Sequence, residues 1–347
     1  MNRALRARAV RAARAHSGWV SFHDHHPTPA DLRDEVLAGL SAPQKRLSPK
    51  FFYDQRGSRL FDAITGLPEY YPTRTEIAIL SEHGHEMAGL LGRGQVLVEL
   101  GSGSSLKIRT LLSALAPAVY VPVDISSEHL LESAQALAEC FPGLTVKAVC
   151  ADYSGPIELP LQGDRRERAA FFPGSSIGNF EPDAAAALLG RIGAMVGVGG
   201  RLLIGVDLVK DTALLEAAYN DARGVTADFN LNLLARINRE LGSDFDRGAF
   251  AHRAFFNPDP DPDPDLAAPR GPGRIEMHLV SRRDQQVRVG DRVFGFREGE
   301  SIHTESSYKY DLDGFRRLAE RAGFLTERVW TDRGRLFSVH CLRAGPR

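Results

Sequence analysis

Short apolar runs alternate with longer amphipathic segments through the middle of the chain. This alternation is typical of a parallel β-sheet with helices on both faces, because each strand is then buried on both sides. We predict parallel strands over residues 96–100, 119–124, 146–150, 169–172 and 200–206. Helices are predicted from residue 106 and over 127–140 and 182–195. The order of elements predicts an α/β, Rossmann-like, doubly wound sheet.

The pattern changes after Lys210, where helices over 212–219 and 227–241 bring no new parallel strand. We predict an antiparallel hairpin that pairs 274–282 with 286–296. Proline excludes helix and central strand from 257–265, which we interpret as a stiff acidic surface loop without a site. A helix over 312–322 and a closing antiparallel hairpin of 325–331 with 336–342 return to the sheet edge.

The N-terminal part of the chain precedes the first parallel strand and has a different character. Residues 1–21 are predicted to be a disordered basic extension, since their opening carries five arginines and no acid. Helices are predicted over 31–40, 58–64 and 74–91. We predict a second domain from 22–74 and 208–306. The sheet domain then comprises 75–207 and 307–347.

Composition excludes several classes of function. The 347 residues carry a formal net charge of -1, which gives no electrostatic footprint for nucleic acid or an anionic membrane. No apolar stretch is long enough to span a bilayer. Three scattered cysteines indicate a reducing compartment, and we expect a cytoplasmic monomer. No metal is expected, because the histidines at 23, 25 and 26 lack further ligands nearby.

The run V-L-V-E-L-G-S-G-S-S (residues 96–105) organises the predicted sheet. Its glycines, Gly101 and Gly103, allow the backbone to turn sharply and to approach a ligand closely. Asp124 ends the next strand 23 residues after Gly101, a position that suits the hydroxyls of a ribose. Leu106 stands where the dinucleotide motif needs a small residue, and Glu99 suits a cationic amino acid. These residues favour S-adenosylmethionine (SAM) over a nicotinamide cofactor.

Further polar residues follow the predicted strands, where ligands bind in open α/β sheets. Asp152 and Tyr153 suit an adenine amino group and ring, although Asp152 as a turn cap explains the pattern equally well. Asn179 lies in the loop after the fourth strand and can donate and accept hydrogen bonds without charge. Tyr53 and Tyr70 offer hydroxyl groups, but packing is the simpler interpretation from the pattern alone.

Several long motifs resemble the SAM-dependent histidine N-alpha-methyltransferases of ergothioneine biosynthesis. They are Y-D-Q-R-G-S-x-L-F-D-x-I-T-x-L-P-E-Y-Y-P-T-R-T-E, E-L-G-S-G-S-S-x-K, F-x-G-S-S-I-G-N-F, D-L-V-K-D, A-Y-N-D-x-x-G-V-T-A-x-F-N and R-I-E-M-x-L. The likeness runs from about residue 47 to the C-terminus, without the Pro-Asp run. It implies a class I SAM-dependent methyltransferase domain with an inserted α+β substrate-binding domain. The implied activity is three successive methylations of L-histidine in one site, giving hercynine.

The resemblance also implies the site. The implied SAM-binding residues are Gly101, Lys107, Asp124, Asp152 and Tyr153. The implied histidine-binding residues are Tyr70, Gly174, Asn179, Tyr219, Glu305 and Ser307. Tyr70 and Tyr219 are expected at the carboxylate, whereas Glu305 and Ser307 are expected at the imidazole.

Asn179 and Tyr53 are the implied catalytic residues, with Tyr53 acting through a water. Methyl transfer to an amine is an in-line displacement that needs positioning and a free lone pair more than a strong base. Neutral groups around the amine suit that requirement. A buried Glu305 left unpaired would be costly, so side chains without an N–H group would be rejected.

Three alternatives remain open from the sequence. Related enzymes methylate other aromatic amino acids such as tryptophan or tyrosine, although T-E-S-S at 304–307 matches the histidine pattern. A SAM-binding protein without catalysis is disfavoured by the complete set of substrate residues. A nicotinamide-dependent dehydrogenase is disfavoured by Leu106.

Overall fold

The computed structural model describes residues 11–15, 18–25, 29–259 and 271–346. Most predicted helices and strands are confirmed with small changes at their ends. The strands are β1 Arg11–Ala15, β2 Gly18–Asp24, β3 Val96–Leu100, β4 Val119–Asp124, β5 Thr145–Cys150, β6 Arg168–Phe172, β7 Arg201–Asp207, β8 Phe250–Asn257, β9 Arg274–Ser281, β10 Gln285–Val289, β11 Arg292–Phe296, β12 Ser301–Tyr308, β13 Phe324–Thr331 and β14 Phe337–Ala344.

The α-helices cover both the sheet and the site described below. They are α1 Pro29–Leu40, α2 Gln55–Thr65, α3 Tyr71–Leu91, α4 Leu106–Leu115, α5 Ser127–Cys140, α6 Pro182–Val196, α7 Thr212–Ala217, α8 Val225–Leu241 and α9 Leu312–Arg321. None of the helices in the described ranges is long and apolar enough to cross a membrane.

The main sheet has nine strands in the order β1-β2-β5-β4-β3-β6-β7-β14-β13. Strands β2 to β7 run parallel, and β14 and β13 close the sheet as the predicted antiparallel hairpin. Side chains of β3 alternate between two apolar clusters, one beneath α6 and α9 and the other beneath α3, α4 and α5. Helices therefore cover both faces, as the apolar runs predicted. The fold is α/β and Rossmann-like.

A separate antiparallel sheet with the order β12-β9-β8 packs against α1, α2, α7 and α8 around its own apolar cluster. The predicted pairing of 274–282 with 286–296 is wrong. Strand β9 pairs with β8 and β12 instead, and 285–296 is itself the hairpin β10-β11. Its two-residue turn contains Gly290 at φ +61°, a conformation that favours glycine. Most of the predicted Pro-Asp loop lies outside the described residues.

The expectation of a disordered extension over residues 1–21 is wrong for residues 11–15 and 18–21, which lie in β1 and β2. Strand β2 runs parallel to β5. Val20 is buried there against the helix-covered face of the sheet. Strand β2 also brings residues 22–24, predicted in the second domain, into the main sheet. Its position beside β5 depends on contacts distant in sequence, so local composition could not predict it. Residues 1–10 lie outside the described residues.

Candidate active site

Two connected cavities lie at the carboxyl ends of the parallel strands, between the main sheet and the smaller sheet. The larger contains about 1520 Å³ of space and the smaller about 580 Å³, in each case including space open to solvent. Six residues line both cavities, namely Tyr53, Phe61, Tyr70, Gly174, Ser176 and Asn179. Strand β3 has β4 on one side and β6 on the other, so the chain reverses direction across the sheet here. Such a switch point is the usual ligand crevice of an open α/β sheet.

The glycine loop after β3 forms one wall of the larger cavity. Gly101 and Gly103 have φ angles of +69° and +49°, which let the chain turn immediately after the strand. Asp124 ends β4 beside them and accepts hydrogen bonds from the backbone N–H groups of Gly103 and Ser126, both at 3.0 Å. These bonds fix its carboxylate in the wall. Burial raises its pKa, and the two backbone donors oppose that rise.

Ser102 is a cofactor-site candidate that the sequence did not single out. Its hydroxyl oxygen is buried, has no hydrogen-bond partner among the described residues, and belongs to a residue that lines the larger cavity. A polar ligand would satisfy it. The wall of the larger cavity therefore offers the glycine turn, which a ligand can approach closely, the fixed carboxylate of Asp124 and the unpaired hydroxyl of Ser102. These groups fit a nucleoside that carries an amino acid. Only its position in the glycine loop could have indicated Ser102.

Asp152 and Tyr153 follow β5 and line the larger cavity. Asp152 binds Lys50 at 2.9 Å and also accepts a hydrogen bond from the Ser154 N–H, so it serves as a turn cap and an ion-pair partner together. These donors outweigh burial and lower its pKa. The Tyr153 ring packs edge-on against Phe172 at 5.6 Å, which fixes it in the wall near Gly101.

Lys107 lines the larger cavity, and its ammonium forms an ion pair with Glu76 of α3 at 2.7 Å. The fully buried Glu76 also accepts the backbone N–H of Gly174 at 2.9 Å. Gly205 makes room for this carboxylate, because a Cβ there would lie 2.1 Å from Glu76 Oε1. Glu76 therefore connects the cofactor wall to the loop after β6. Sequence reasoning missed it, since a glycine inside a strand was its only signal.

Asn179 ends a short 3-10 turn, Ser176–Asn179, in the loop after β6. It lines both cavities, and among the described residues its side chain has no hydrogen-bond partner. Tyr53 lines both cavities as well, with its ring packed edge-on against Phe61 and Phe229 at 5.8 Å. The structure therefore brings the two predicted catalytic residues to the junction of the cavities.

Tyrosine side chains surround the smaller cavity. Tyr70 and Tyr219 pack edge-on with ring centroids 6.4 Å apart, and both line it together with Tyr53. Burial raises the pKa of all three tyrosines above the ordinary value. Each hydroxyl therefore stays protonated at neutral pH and can donate a hydrogen bond, as binding of a carboxylate requires.

Glu305 of β12 lines the smaller cavity opposite this group. The residue is buried, and no side chain of the described residues donates a hydrogen bond to its carboxylate. Burial raises its pKa to about 7, while the positive charge of Lys309 opposes the rise. Met277, its cross-strand neighbour, lines the same cavity. Sequence reasoning missed Met277, although the R-I-E-M motif contains it.

Ser307, predicted beside the imidazole, lines the smaller cavity and is connected to Tyr219, which is predicted at the carboxylate. Its hydroxyl accepts a hydrogen bond from Tyr219 at 2.9 Å and another from Lys309 at 2.8 Å. Lys309 also lines the smaller cavity and was missed. The only feature of the sequence that could have indicated Lys309 is its position two residues after Ser307.

One group of described side chains, Glu276, His278 and His303, could hold a metal ion, since its ligand atoms lie within 4.8 Å of one another. Strand alternation and pairing place it on the face opposite Met277 and Glu305. Its carboxylate already binds Arg274 at 2.9 Å, which supplies a neutralising charge. The group therefore lies outside the candidate site, and we assign it no role there.

Comparison with known proteins places this geometry in a family. Residues 32–344 match the family described as histidine-specific methyltransferase, SAM-dependent. The chain is 42% identical over 308 residues to histidine N-alpha-methyltransferase of Mycolicibacterium smegmatis, covering 87% of this chain and 91% of that protein. It is 32% identical over 305 residues to ergothioneine biosynthesis protein 1 of Neurospora crassa, covering 86% of this chain and 33% of that protein.

Among solved structures, a SAM-dependent methyltransferase from Clostridium acetobutylicum is similar with a TM-score of 0.43 and 11% sequence identity. It covers 83% of this chain and 96% of its own. The family match and the mycobacterial relative each span most of the sequence. The chain therefore belongs to the family of SAM-dependent, histidine-specific methyltransferases.

Proposed function

We propose that this protein transfers methyl groups from SAM to the α-amino group of L-histidine, three times in succession, to form hercynine. The observation that carries the proposal is the buried Glu305 carboxylate, which faces the smaller cavity without a donor from the described protein. An imidazole N–H group is a donor of the right kind. The name of the mycobacterial relative supports the same substrate, and the name of the fungal relative supports a place in ergothioneine biosynthesis.

In this proposal each cavity holds one substrate. SAM occupies the larger cavity against Gly101, Asp124, Asp152 and Tyr153, where it supplies an electrophilic methyl group. The six residues shared by both cavities then surround the point of transfer. Lys107 acts there through Glu76, which holds the Gly174 loop beside that point.

Histidine lies in the smaller cavity with its imidazole on Glu305 and its carboxylate near the hydroxyls of Tyr70, Tyr219 and Ser307. Asn179 and Tyr53 then stand next to the amine. Because the Tyr53 hydroxyl stays protonated, it orients the amine or a bound water and does not remove the proton as a phenolate. We infer that the proton leaves to solvent and that the neutral amine is the reacting form.

Mass spectrometry tests the proposal. The purified protein is incubated with SAM and an equimolar mixture of the common amino acids, and every amino acid is monitored for added methyl groups. We expect L-histidine to gain three methyl groups while the others stay unchanged. Methylation of tryptophan or tyrosine instead would overturn the substrate and the role of Glu305. Absence of any transfer would contradict the enzymatic proposal.

Three further properties belong to the proposal. The separate apolar clusters support two domains, a sheet domain built from 75–207 and 307–347 and a substrate-binding domain built from 25–74 and 208–306. None of Cys140, Cys150 and Cys341 forms a disulfide bond within the described residues, which supports a reducing compartment, and we propose the cytoplasm. We also propose a monomer that works without a metal.

A further inference from the structure

Lys309 is a buried cation at the end of the substrate cavity. It directly follows β12, its side chain is 1% exposed, and its ammonium contacts three groups. These are Asp207 Oδ2 at 2.8 Å, Ser307 Oγ at 2.8 Å and Tyr219 Oη at 3.0 Å. Two of the three partners are hydroxyl groups that line the smaller cavity.

Lys309 shares its carboxylate partner with a second ammonium group. Asp207 also binds the ammonium of Lys210 at 2.5 Å and accepts a hydrogen bond from the Tyr71 hydroxyl at 2.8 Å. Burial lowers the pKa of Lys210 to about 8, so it is still mostly charged at neutral pH. Asp332 also acts on Lys210, and Glu305 is the other carboxylate on which Lys309 acts. The Lys309 ammonium lies at the end of the cavity where Tyr219 and Ser307 meet.

Lys309 is the larger of the two charges that lower the pKa of Asp207, but Lys210 and Tyr71 bind the same carboxylate, so Asp207 keeps a countercharge and a donor when Lys309 is replaced. A buried ammonium loses its hydration, and an apolar side chain of similar length is often as stabilising at such a position. This cost points to a role in binding an anion.

We propose that Lys309 is the positioning residue that makes the site select the α-carboxylate of its amino-acid substrate. Its ammonium donates to the oxygen atoms of both Tyr219 and Ser307. The Tyr219 hydrogen then points to Ser307 Oγ, and the Ser307 hydrogen is left for a ligand. When a carboxylate is bound, the Ser307 hydrogen turns to it, and the Tyr219 hydrogen exchanges Ser307 Oγ for a carboxylate oxygen. Polarisation by the ammonium strengthens these two hydrogen bonds, and its charge attracts the carboxylate.

The proposal rests on the proposed function only in taking an α-amino acid as the substrate. It predicts discrimination by the carboxylate, whereas Glu305 acts on the side chain. Histamine has the imidazole and the amine of histidine but no carboxylate, and histidinamide has a neutral amide in its place. Comparing the three ligands therefore distinguishes recognition of the carboxylate from recognition of the imidazole.

Isothermal titration in the presence of S-adenosylhomocysteine compares these ligands on the parent protein, Lys309→Met and Lys210→Met. We expect Lys309→Met to weaken L-histidine binding by roughly 10- to 100-fold, the usual effect of losing hydrogen bonds to a charged group. Histamine and histidinamide should change by less than about 3-fold, since they do not use the positive charge. Lys210→Met, the matched control outside the cavity lining, should weaken L-histidine less than Lys309→Met does.

Equal weakening of all three ligands would show a merely structural role and overturn the proposal. Unchanged L-histidine affinity would also overturn it. Affinity for S-adenosylhomocysteine reports whether the variant is folded, because Lys309 does not line the larger cavity. If Lys309→Met fails to fold, the affinities of the parent protein for histidine and histidinamide test the proposal. Equal affinities would contradict it.

Failure of the proposed function gives a different result. If the parent protein binds tryptophan in place of histidine, the same comparison is made with tryptophan, its amide and tryptamine. Carboxylate discrimination there would support Lys309 while rejecting histidine. A parent protein that binds no amino acid overturns both.

Discussion

Glu305 shows how one residue can lower stability and still define a substrate. Its carboxylate is buried without a donor from the described protein, and burial raises its pKa to about 7 from an ordinary 4.5. The folded state therefore holds this proton more tightly than the unfolded state does. Stability must fall as the pH rises from about 4.5 to about 7, because the unfolded state releases the proton first. Bound ligand would recover this loss.

We predict that Glu305→Gln stabilises the ligand-free protein at pH 8 and has little effect near pH 4.5. The shift in pKa limits the gain in unfolding free energy to about 3 kcal/mol. Urea unfolding at pH 5, 6.5 and 8 measures it. The exposed Glu132→Gln on α5 is the matched control and should show no gain that grows with pH. A destabilised Glu305→Gln variant at pH 8 would contradict the assignment of an unpaired carboxylate.

At the scale of elements, the loop between β6 and α6 is held from the opposite side of the site. Glu76 of α3 accepts the Gly174 N–H and binds Lys107 of α4, so three elements meet at one buried carboxylate. Gly174 itself has φ +79°, and a Cβ there would lie 2.9 Å from Lys107 Nζ. The loop carries Asn179, so in the proposed function its conformation determines where the amine is held.

We predict that Gly174→Ala lowers kcat/KM for histidine by about 10-fold or more, because the strain moves the loop. Steady-state kinetics measure the change, and thermal unfolding verifies the fold. Gly89→Ala in α3 is the matched control, since nothing lies within 4 Å of a Cβ there, and it should keep full activity. Unchanged kinetics in Gly174→Ala would exclude a fixed loop conformation as a requirement.

Patterns in the local sequence predicted the helices and strands well but did not always predict correctly which strands pair with each other. Helix α5 has the predicted bounds, because its apolar positions and its flanking residues are close together in sequence. The hairpin prediction failed because Gly290-Asp291 was passed over as a two-residue turn. In the site, the spacing of the strands predicted the position of Asp124. The sequence did not predict the roles of Glu76 and Lys309, because their partners Gly174, Asp207 and Tyr219 lie roughly 90 to 100 residues away.

At the scale of the whole molecule, both cavities lie between the main sheet and the smaller sheet, and the six shared lining residues connect them. The main sheet provides Asn179, at the end of the loop after β6, and the smaller sheet provides Glu305 on β12. In the proposed function, the imidazole and the amine of histidine are therefore held by different sheets. This arrangement would fix which nitrogen of histidine faces the larger cavity.

Tandem mass spectrometry of the product from L-histidine and SAM tests this central claim most directly. With the imidazole on Glu305, all three methyl groups must lie on the α-nitrogen, and the fragments should show a trimethylammonium group with an unmodified ring. A methyl group on either ring nitrogen would contradict the account, because the imidazole would then face the larger cavity in place of the amine.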